Sequence, residues 1–386
     1  MKTEKIALFL EQNRGEAIRF LQSLVEIPSG SKHKEGIANV AGHMVARLEA
    51  LGFTCHSIRE DGWDIHLIAD RIPSAPKKIL LMGHMDTVFG PESDFRGFRD
   101  DGKQLRGPGV ADMKGGLTVM VYALSALQEA GLLEEMPVKV FLNGDEETGS
   151  PCSRVLLHDE CRDVAFALVF EHGGKGRILA RRKGVGKYLL RTYGRASHAG
   201  ACHEHGINAI EEMAHKVLAI QALTDYGRAL TLNVGTIRGG LSRNTVPGSC
   251  EIEIDFRCQD KTSTVEIQRK IREIAEKATI PGTRSVLEGG LHRPPMNPVP
   301  GQKVILRAFS LAARKLGQPL VVGSSGGGSD ANLTADLGVP TVDGLGPLGG
   351  EVHSDREYID RRSLADRAAL AALGLIHLRE HLGTEA

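Results

Sequence analysis

Three apolar runs in this chain each end in an acid or an imidazole at the point where a buried strand must emerge. Lys78 to Met82 leads into Gly83-His84-Met85-Asp86, Val138 to Leu142 into Asn143-Gly144-Asp145-Glu146-Glu147-Thr148-Gly149, and Val164 to Phe170 into Glu171. The first of these, continuous after its lysine, reads as a central strand of the kind found in parallel sheets covered by helices. Open sheets of that kind bind ligands at the carboxyl ends of their strands. The pattern predicts an α/β fold with a polar site at those ends.

The rest of the chain is organised around these runs. Ile6, Phe9, Leu10, Ile18, Leu21 and Leu24 recur near helical spacing until Pro28, and a second amphipathic helix is predicted from Gly36 to Leu51. The loop from Arg106 to Gly116 precedes an apolar helix reaching about Ala130. From residue 183 the pattern changes to strand 186–193, helix 207–223, strands 229–237 and 249–257, helix 264–278 and strand 283–288. That βαββαβ order is the split, ferredoxin-like arrangement. After Arg293-Pro294-Pro295 come a helix, a glycine loop at Gly326–Asp330, a strand near Val339–Val342, His353 and a long terminal helix. The expectation is a discontinuous α/β catalytic domain, residues 1–182 and 294–386, interrupted by an α+β domain at 183–293. A length of 386 residues accommodates it, since a domain takes roughly 100–200.

Composition narrows the partners. Lys plus Arg and Asp plus Glu each number 48, and no basic stripe interleaves the 17 aromatics. Nucleic acid and anionic membrane surfaces both reward a basic excess, so neither is expected as a partner. The first apolar run, Ile6 to Leu10, is closed by Glu11, too short for a secretory core of roughly 7–15 apolar residues. No window was expected to approach the ~18 apolar residues of a membrane span. Six cysteines without CxxC spacing are expected as reduced thiols. Together these place the chain in the cytoplasm as an expectation.

His84, Asp112, Glu146, Glu147, Glu171 and His353 all lie in turn-like segments beside strand ends, and all are ligand types for zinc. A paired-metal site needs carboxylate and imidazole ligands, one group able to bridge and a base for water. Taken singly each has a structural reading: a satisfied histidine at a strand end, a turn aspartate, a glutamate pair at a helix start. The adjacent glutamates are more informative, because side chains on opposite faces of an extended segment can take different tasks.

These segments also carry a resemblance. His84-Met85-Asp86, Gly109-Val110-Ala111-Asp112-Met113-Lys114-Gly115-Gly116, Asp145-Glu146-Glu147-Thr148-Gly149-Ser150, Ala196-Ser197-His198-Ala199-Gly200 and His353-Ser354-Asp355 resemble, in order and spacing, the di-zinc metallopeptidase family of glutamate carboxypeptidases, aminoacylases and amino-acid deacylases. Within it the chain looks most like bacterial glutamate carboxypeptidases of the folate-cleaving type. The resemblance implies a zinc-peptidase catalytic domain with an inserted lid and dimerisation domain, and two zinc ions per subunit, replaceable by cobalt or manganese in vitro. His84 and Glu171 would hold one ion, Glu147 and His353 the other, and Asp112 would bridge them. Asp86 would orient His84 by accepting its second ring N–H, and Glu146 would be the general base. Glu at 171 is common in the family's carboxypeptidases and deacylases, whereas dipeptidase-like members often carry Asp. His198, in the inserted domain, would stabilise the oxyanion across the interface of a homodimer.

Substrate contacts are implied in the same way at Asn244, Gly328, Arg177, Arg257 and Arg293. Arginine matches a carboxylate in bidentate fashion, so this set favours an acidic terminal residue on a short peptide or N-acyl amino acid. A salt-bridged surface arginine is the alternative at each position. Three readings of function stay open: a glutamate-releasing carboxypeptidase, an aminoacylase-type deacylase with the same machinery, and a non-catalytic metal-binding relative.

Overall fold

The computed structural model describes residues 2–174 and 176–382. The chain forms two compact units, each with its own apolar core. The first comprises the described residues up to Arg181, Pro298–Ser324 and the chain from Ser329 onward; the second comprises Arg182–Asn297 with Ser325–Gly328.

The first unit is built on a six-stranded sheet. Its order is β1 (Thr54–Glu60), β2 (Trp63–Asp70), β6 (Val138–Asn143), β3 (Lys78–His84), β7 (Val164–Val169) and β16 (Thr341–Val342). β3 runs parallel to both neighbours, with His84 opposite Asn143 and Met82 opposite Val169. Every residue of β3 and β6 is buried, including Lys78 and Lys139 within their otherwise largely apolar sequences. Parallel register brings the carboxyl ends of β6, β3 and β7 side by side, and these are the three ends that carry the acids and the imidazole. At the opposite end, the Lys78 ammonium lies 2.6 Å from Asp70 and 2.8 Å from Asp163, and Lys139 lies 2.7 Å from Asp163.

Helices α1 (Lys2–Gln12), α2 (Arg14–Val25) and α3 (Lys34–Ala50) open the chain. The first apolar pattern thus becomes two helices, interrupted at Asn13, whose side chain bonds back to the Phe9 carbonyl at 2.8 Å. Helix α4 (Gly115–Glu129) is buried on nearly all sides and packs against α1, α2 and α10 (Ser363–Arg379). Val110–Glu129 is in fact long and apolar enough to cross a membrane by length and composition, contrary to the sequence expectation, but it is a core segment with 89% of its apolar window buried. Helices α5 (Ser153–Glu160), α8 (Gln302–Lys315) and α9 (Ala331–Asp336) complete the unit. So do a small sheet of order β17 (Gly349–Gly350), β18 (Tyr358–Asp360), β5 (Gln104–Arg106), β4 (Arg99–Asp100), and a ribbon of β15 (Val321–Ser325) with β8 (Arg177–Arg182). The β8–β15 ribbon has no counterpart in the sequence reading, because neither segment alternates or forms an apolar run.

The second unit carries an antiparallel sheet of order β11 (Thr231–Gly239), β13 (Ser249–Cys258), β9 (Gly184–Tyr193), β14 (Arg284–Arg293). Helices α6 (Ala209–Gln221) and α7 (Lys261–Glu276) link its strands in βαββαβ order. Asn208 and Asp260 cap the two helices through their side chains. A two-residue bridge pairs β10 (Ser197–His198) with β12 (Thr245–Val246). All six cysteines are free thiols.

One glycine decides how closely α4 approaches the sheet. A Cβ on Gly116 would lie 1.9 Å from the Phe170 carbonyl oxygen, a backbone atom that has no rotamer with which to yield. Gly116→Ala is expected to lower stability by about 1–3 kcal/mol, as overpacking does, and to displace the β7 end that carries Glu171. Denaturant unfolding would measure the first effect and metal titration the second.

Candidate metal and catalytic site

His84 closes β3, and its ring lies fully inside the protein. Its Nε2 is 3.1 Å from Asp112 Oδ1 and 3.6 Å from Glu171 Oε1. On the other side of Asp112, Oδ2 is 3.2 Å from His353 Nε2, which is itself 3.3 Å from Glu147 Oε2. One carboxylate therefore faces two imidazoles, one through each oxygen, and each imidazole has a glutamate beside it. His84, Asp112 and Glu147 can bring one ligand atom each within 4.8 Å of one another.

The donor set fits divalent cations. Tetrahedral bonds of about 2.0–2.1 Å put neighbouring ligand atoms about 3.3 Å apart, close to the N to O separations found here. Glu147 Oε1 is buried with no hydrogen-bond partner among the described residues, an acceptor that a cation could satisfy. Burial pushes the Glu171 carboxyl well above the usual range, with the Asp112 charge adding to it, and burial likewise raises Glu147 against its bond to His353. Burial opposes a charged His84, yet Asp112 and Asp86 outweigh it and hold the imidazole well above its ordinary value. His353 is pushed up to about 10 by its bonds to Asp112 and Glu147. The surrounding acids thus favour protons on both imidazoles, and a bound cation would take the place of those protons.

Local structure explains why these side chains meet. Glu171 follows β7, and its carbonyl accepts the Gly346 N–H at 2.8 Å. Arg367, buried in α10, holds that loop by donating to the carbonyls of Gly346, at 3.0 Å, and Gly344. His353 adopts a left-handed backbone, φ 63°, unusual for a residue with a Cβ. Glu146–Thr148 form a 3-10 turn instead of an extended segment, so the two glutamates diverge by roughly 120° and not by the half-turn expected from strand geometry. Glu146 is close enough to His84 and Glu171 for its charge to act on both.

Asp86 differs from expectation in what it holds. The His84 Nδ1 bonds to the Asp86 main-chain carbonyl at 2.9 Å, while the nearer carboxylate oxygen is 3.4 Å away. The carboxylate is turned to other donors. Oδ1 accepts the Glu146 N–H at 3.2 Å, and Oδ2 accepts the Glu147 N–H at 3.2 Å and the Ser31 hydroxyl at 2.7 Å. Asp86 is fully buried and so ties the turn carrying both glutamates to the strand end carrying His84. A cavity of about 420 Å³ opens beside Glu147, lined by Ser31, His33, Thr87 and Thr148 among others. Ser31 lies in a segment whose Ser-Gly-Ser composition read only as a helix stop.

The remaining candidates fall elsewhere. Arg177 is exposed on β8 of the first unit. In the second unit His198 and Asn244 are neighbours: Ala199 N–H donates to the Asn244 carbonyl at 2.9 Å. His198 Nδ1 accepts N–H bonds from Gly200 at 3.1 Å and Ala201 at 3.0 Å, which places its proton on Nε2. Arg293 is buried at the end of β14 against Gly328, where a Cβ would come 2.9 Å from Arg293 Cδ. Arg257 forms a bidentate pair with Asp255, at 2.7 and 2.9 Å, so its fork is already engaged.

Asp86→Ala would leave two amides and a hydroxyl without their acceptor, at about 1–3 kcal/mol for each that stays buried. Metal affinity is expected to fall about 10–100-fold although no ligand has been changed. Chelator competition on the folded variant would show it, and wild-type affinity would remove Asp86 from the site's support.

Residues 80–375 match peptidase family M20/M25/M40. Carboxypeptidase G2 of Pseudomonas sp. (strain RS-16) is 31% identical over 362 residues, covering 92% of this chain and 87% of that protein. Succinyl-diaminopimelate desuccinylase of Variovorax paradoxus (strain S110) is 25% identical, with 89% and 93% covered. Among solved structures, aminopeptidase PepT from Bacillus cereus superposes with a TM-score of 0.78 at 24% identity, covering 95% of this chain and 99% of that one, a likeness of fold. With its two oxygen-imidazole contacts at Asp112 set in a fold and sequence of this kind, the chain belongs to peptidase family M20/M25/M40.

Proposed function

We propose that this hydrolase is a two-metal carboxypeptidase that cleaves an amide to release a C-terminal amino acid, glutamate or a close analogue. The observation that carries the reading is the division of the ligand cluster by Asp112, with Glu146 near enough to His84 and Glu171 for its charge to act on both. His84 and Glu171 would hold one divalent cation, Glu147 and His353 the other, with Asp112 shared and zinc as the expected metal. Bound there, the ions supply Lewis-acid charge at the scissile carbonyl and make water acidic near neutral pH.

Glu146 then takes a proton from the attacking water and passes it to the leaving amine. His198 presents Nε2–H as a donor, the tautomer that oxyanion stabilisation needs. In this reading it acts from a second copy, in a homodimer formed through the 183–293 insertion, which serves as lid and interface. The edge strand β11, with exposed Ile237 and with exposed Leu241 just beyond its end, suits such pairing. Asn244 would contact the substrate carbonyl, and Arg293, with Gly328 packed on it, would hold the terminal carboxylate, whereas Arg257 is already committed to Asp255. The similarity to carboxypeptidase G2 supports the releasing of an amino acid, and a cytoplasmic location suits the six free thiols.

A second reading, N-acyl-amino-acid deacylase, is favoured by the similarity to a desuccinylase over nearly the whole chain. The two differ in which side of the amide is recognised. Zinc-loaded wild type is expected to hydrolyse N-acyl-glutamates and folate analogues with higher kcat/KM than N-acetyl neutral amino acids. Equal rates on acidic and neutral leaving groups would defeat the arginine argument and leave the deacylase.

Glu146→Gln is expected to retain both metals and lose about 10²–10⁴ in kcat. Unchanged turnover in that variant would refute the assignment of the base. Light scattering that found a fully active monomer would refute the role of His198 across an interface.

A further inference from the structure

The segment that supplies His353 also supplies a buried carboxylate with no part in the reaction just described. Glu357, four residues on, has no exposed surface. Its Oε1 accepts the backbone N–H of Ala111 at 2.7 Å and of Asp112 at 3.0 Å, and its Oε2 accepts that of Gly109 at 3.1 Å. All three donors belong to the loop that presents Asp112.

Local geometry creates the need for such an acceptor. Gly109 has φ 72°, and a Cβ there would fall 2.5 Å from the Thr87 methyl, so the chain turns sharply under a neighbour. In the turn that follows, Val110–Lys114, the Val110 N–H donates to the Gly107 carbonyl at 3.1 Å, whereas those of Ala111 and Asp112 turn to a side chain, as amides at the start of a helical turn do. Ordinarily a side chain just before the turn would accept them. Here the acceptor comes from about 245 residues away, delivered because β18 pairs with β5 and sets Tyr358 opposite Arg106 at the root of the loop. The next stretch of chain toward the amino end of Glu357 carries His353, whose Nε2 meets Asp112 Oδ2.

We propose that Glu357 is a positioning residue for the metal pair, fixing the bridging carboxylate of Asp112 relative to His353 by binding the main chain on both sides of Ala111. The inference rests on the reading that Asp112 and His353 are metal ligands. Three bonds from one buried side chain hold the loop at three successive points of its main chain. Glu357→Ala leaves the ligands in the chain and frees the loop. Glu357→Gln keeps a carbonyl oxygen for Ala111 and Asp112 but turns an NH2 group toward the Gly109 N–H, donor against donor.

The test is metal affinity by chelator competition, with the visible spectrum of the cobalt(II)-substituted protein as a signature of ligand geometry. Ser363→Ala serves as control, because Ser363 bonds to Asp360 and Leu348 in the same segment and makes no bond to the Asp112 loop. Affinity is expected to fall at least tenfold in Glu357→Ala and less in Glu357→Gln, with the cobalt spectrum shifted in both and unchanged in Ser363→Ala. Wild-type affinity and spectrum in a folded Glu357→Ala would overturn the proposal, as would equal losses in Ser363→Ala. Should Glu357→Ala not fold, an unaltered affinity and spectrum in Glu357→Gln would overturn it. A wild type that binds no metal would defeat the proposed function and this inference together, whereas metal binding without hydrolysis of any amide would count against the function alone.

Discussion

A single carboxylate shared between two imidazoles organises this protein's site. Asp112 has one oxygen toward His84 and the other toward His353, and these histidines come from the third strand and from near the end of the chain. Two further buried acids, Glu147 and Glu171, sit beside the histidines. Gathering three carboxylates in a low-dielectric pocket is unfavourable unless positive charge compensates them. The fold must supply enough rigidity to hold that arrangement before any cation is bound.

Rigidity comes from main-chain anchoring more than from contacts between the ligands. Asp86 holds the amides of Glu146 and Glu147, Arg367 holds the carbonyls of the loop under Glu171, and Glu357 holds the amides around Asp112. Each is a buried charged group that binds backbone, and each comes from a segment remote from the one it holds. Such groups are costly to bury and strongly bound once satisfied, so they convert the apolar core's order into order at the site. Gly116 contributes in another way, letting α4 reach within contact of the Phe170 carbonyl and so setting where β7 stops.

Much of this was legible beforehand. The apolar run within residues 78–82 predicted a central strand, and parallel register with residues 138–142 is what aligns their polar ends. The candidate ligand types were legible at those ends and in the segments of Asp112 and His353, while their division between two ions came only from the family resemblance. What escaped was whatever depends on backbone direction. The resemblance gave Asp86 the task of orienting His84; its carboxylate, 3.4 Å from His84 Nδ1, also holds the amides of the next strand end, which its residue type alone did not announce. The glutamate pair was read with strand periodicity and folds as a 3-10 turn. Glu357 carries no local signal at all: an acid before a short strand looks like any surface charge until the pairing of β18 with β5 buries it. The core segment from Val110 to Glu129 shows the converse, an apolar window whose composition permits a membrane span and whose packing makes it a core helix.

By itself, then, the sequence determined the chemical inventory: which strands would be buried, that their ends would carry ligand groups for cations, and that charge balance would not favour nucleic acid. Periodicity and side-chain type are local properties, and they suffice for that. Only the tertiary structure decided which oxygen of Asp112 meets which histidine, and which buried charges anchor the loops around them. Those relations join residues up to about 245 positions apart, and no local preference of the chain encodes a distance between them.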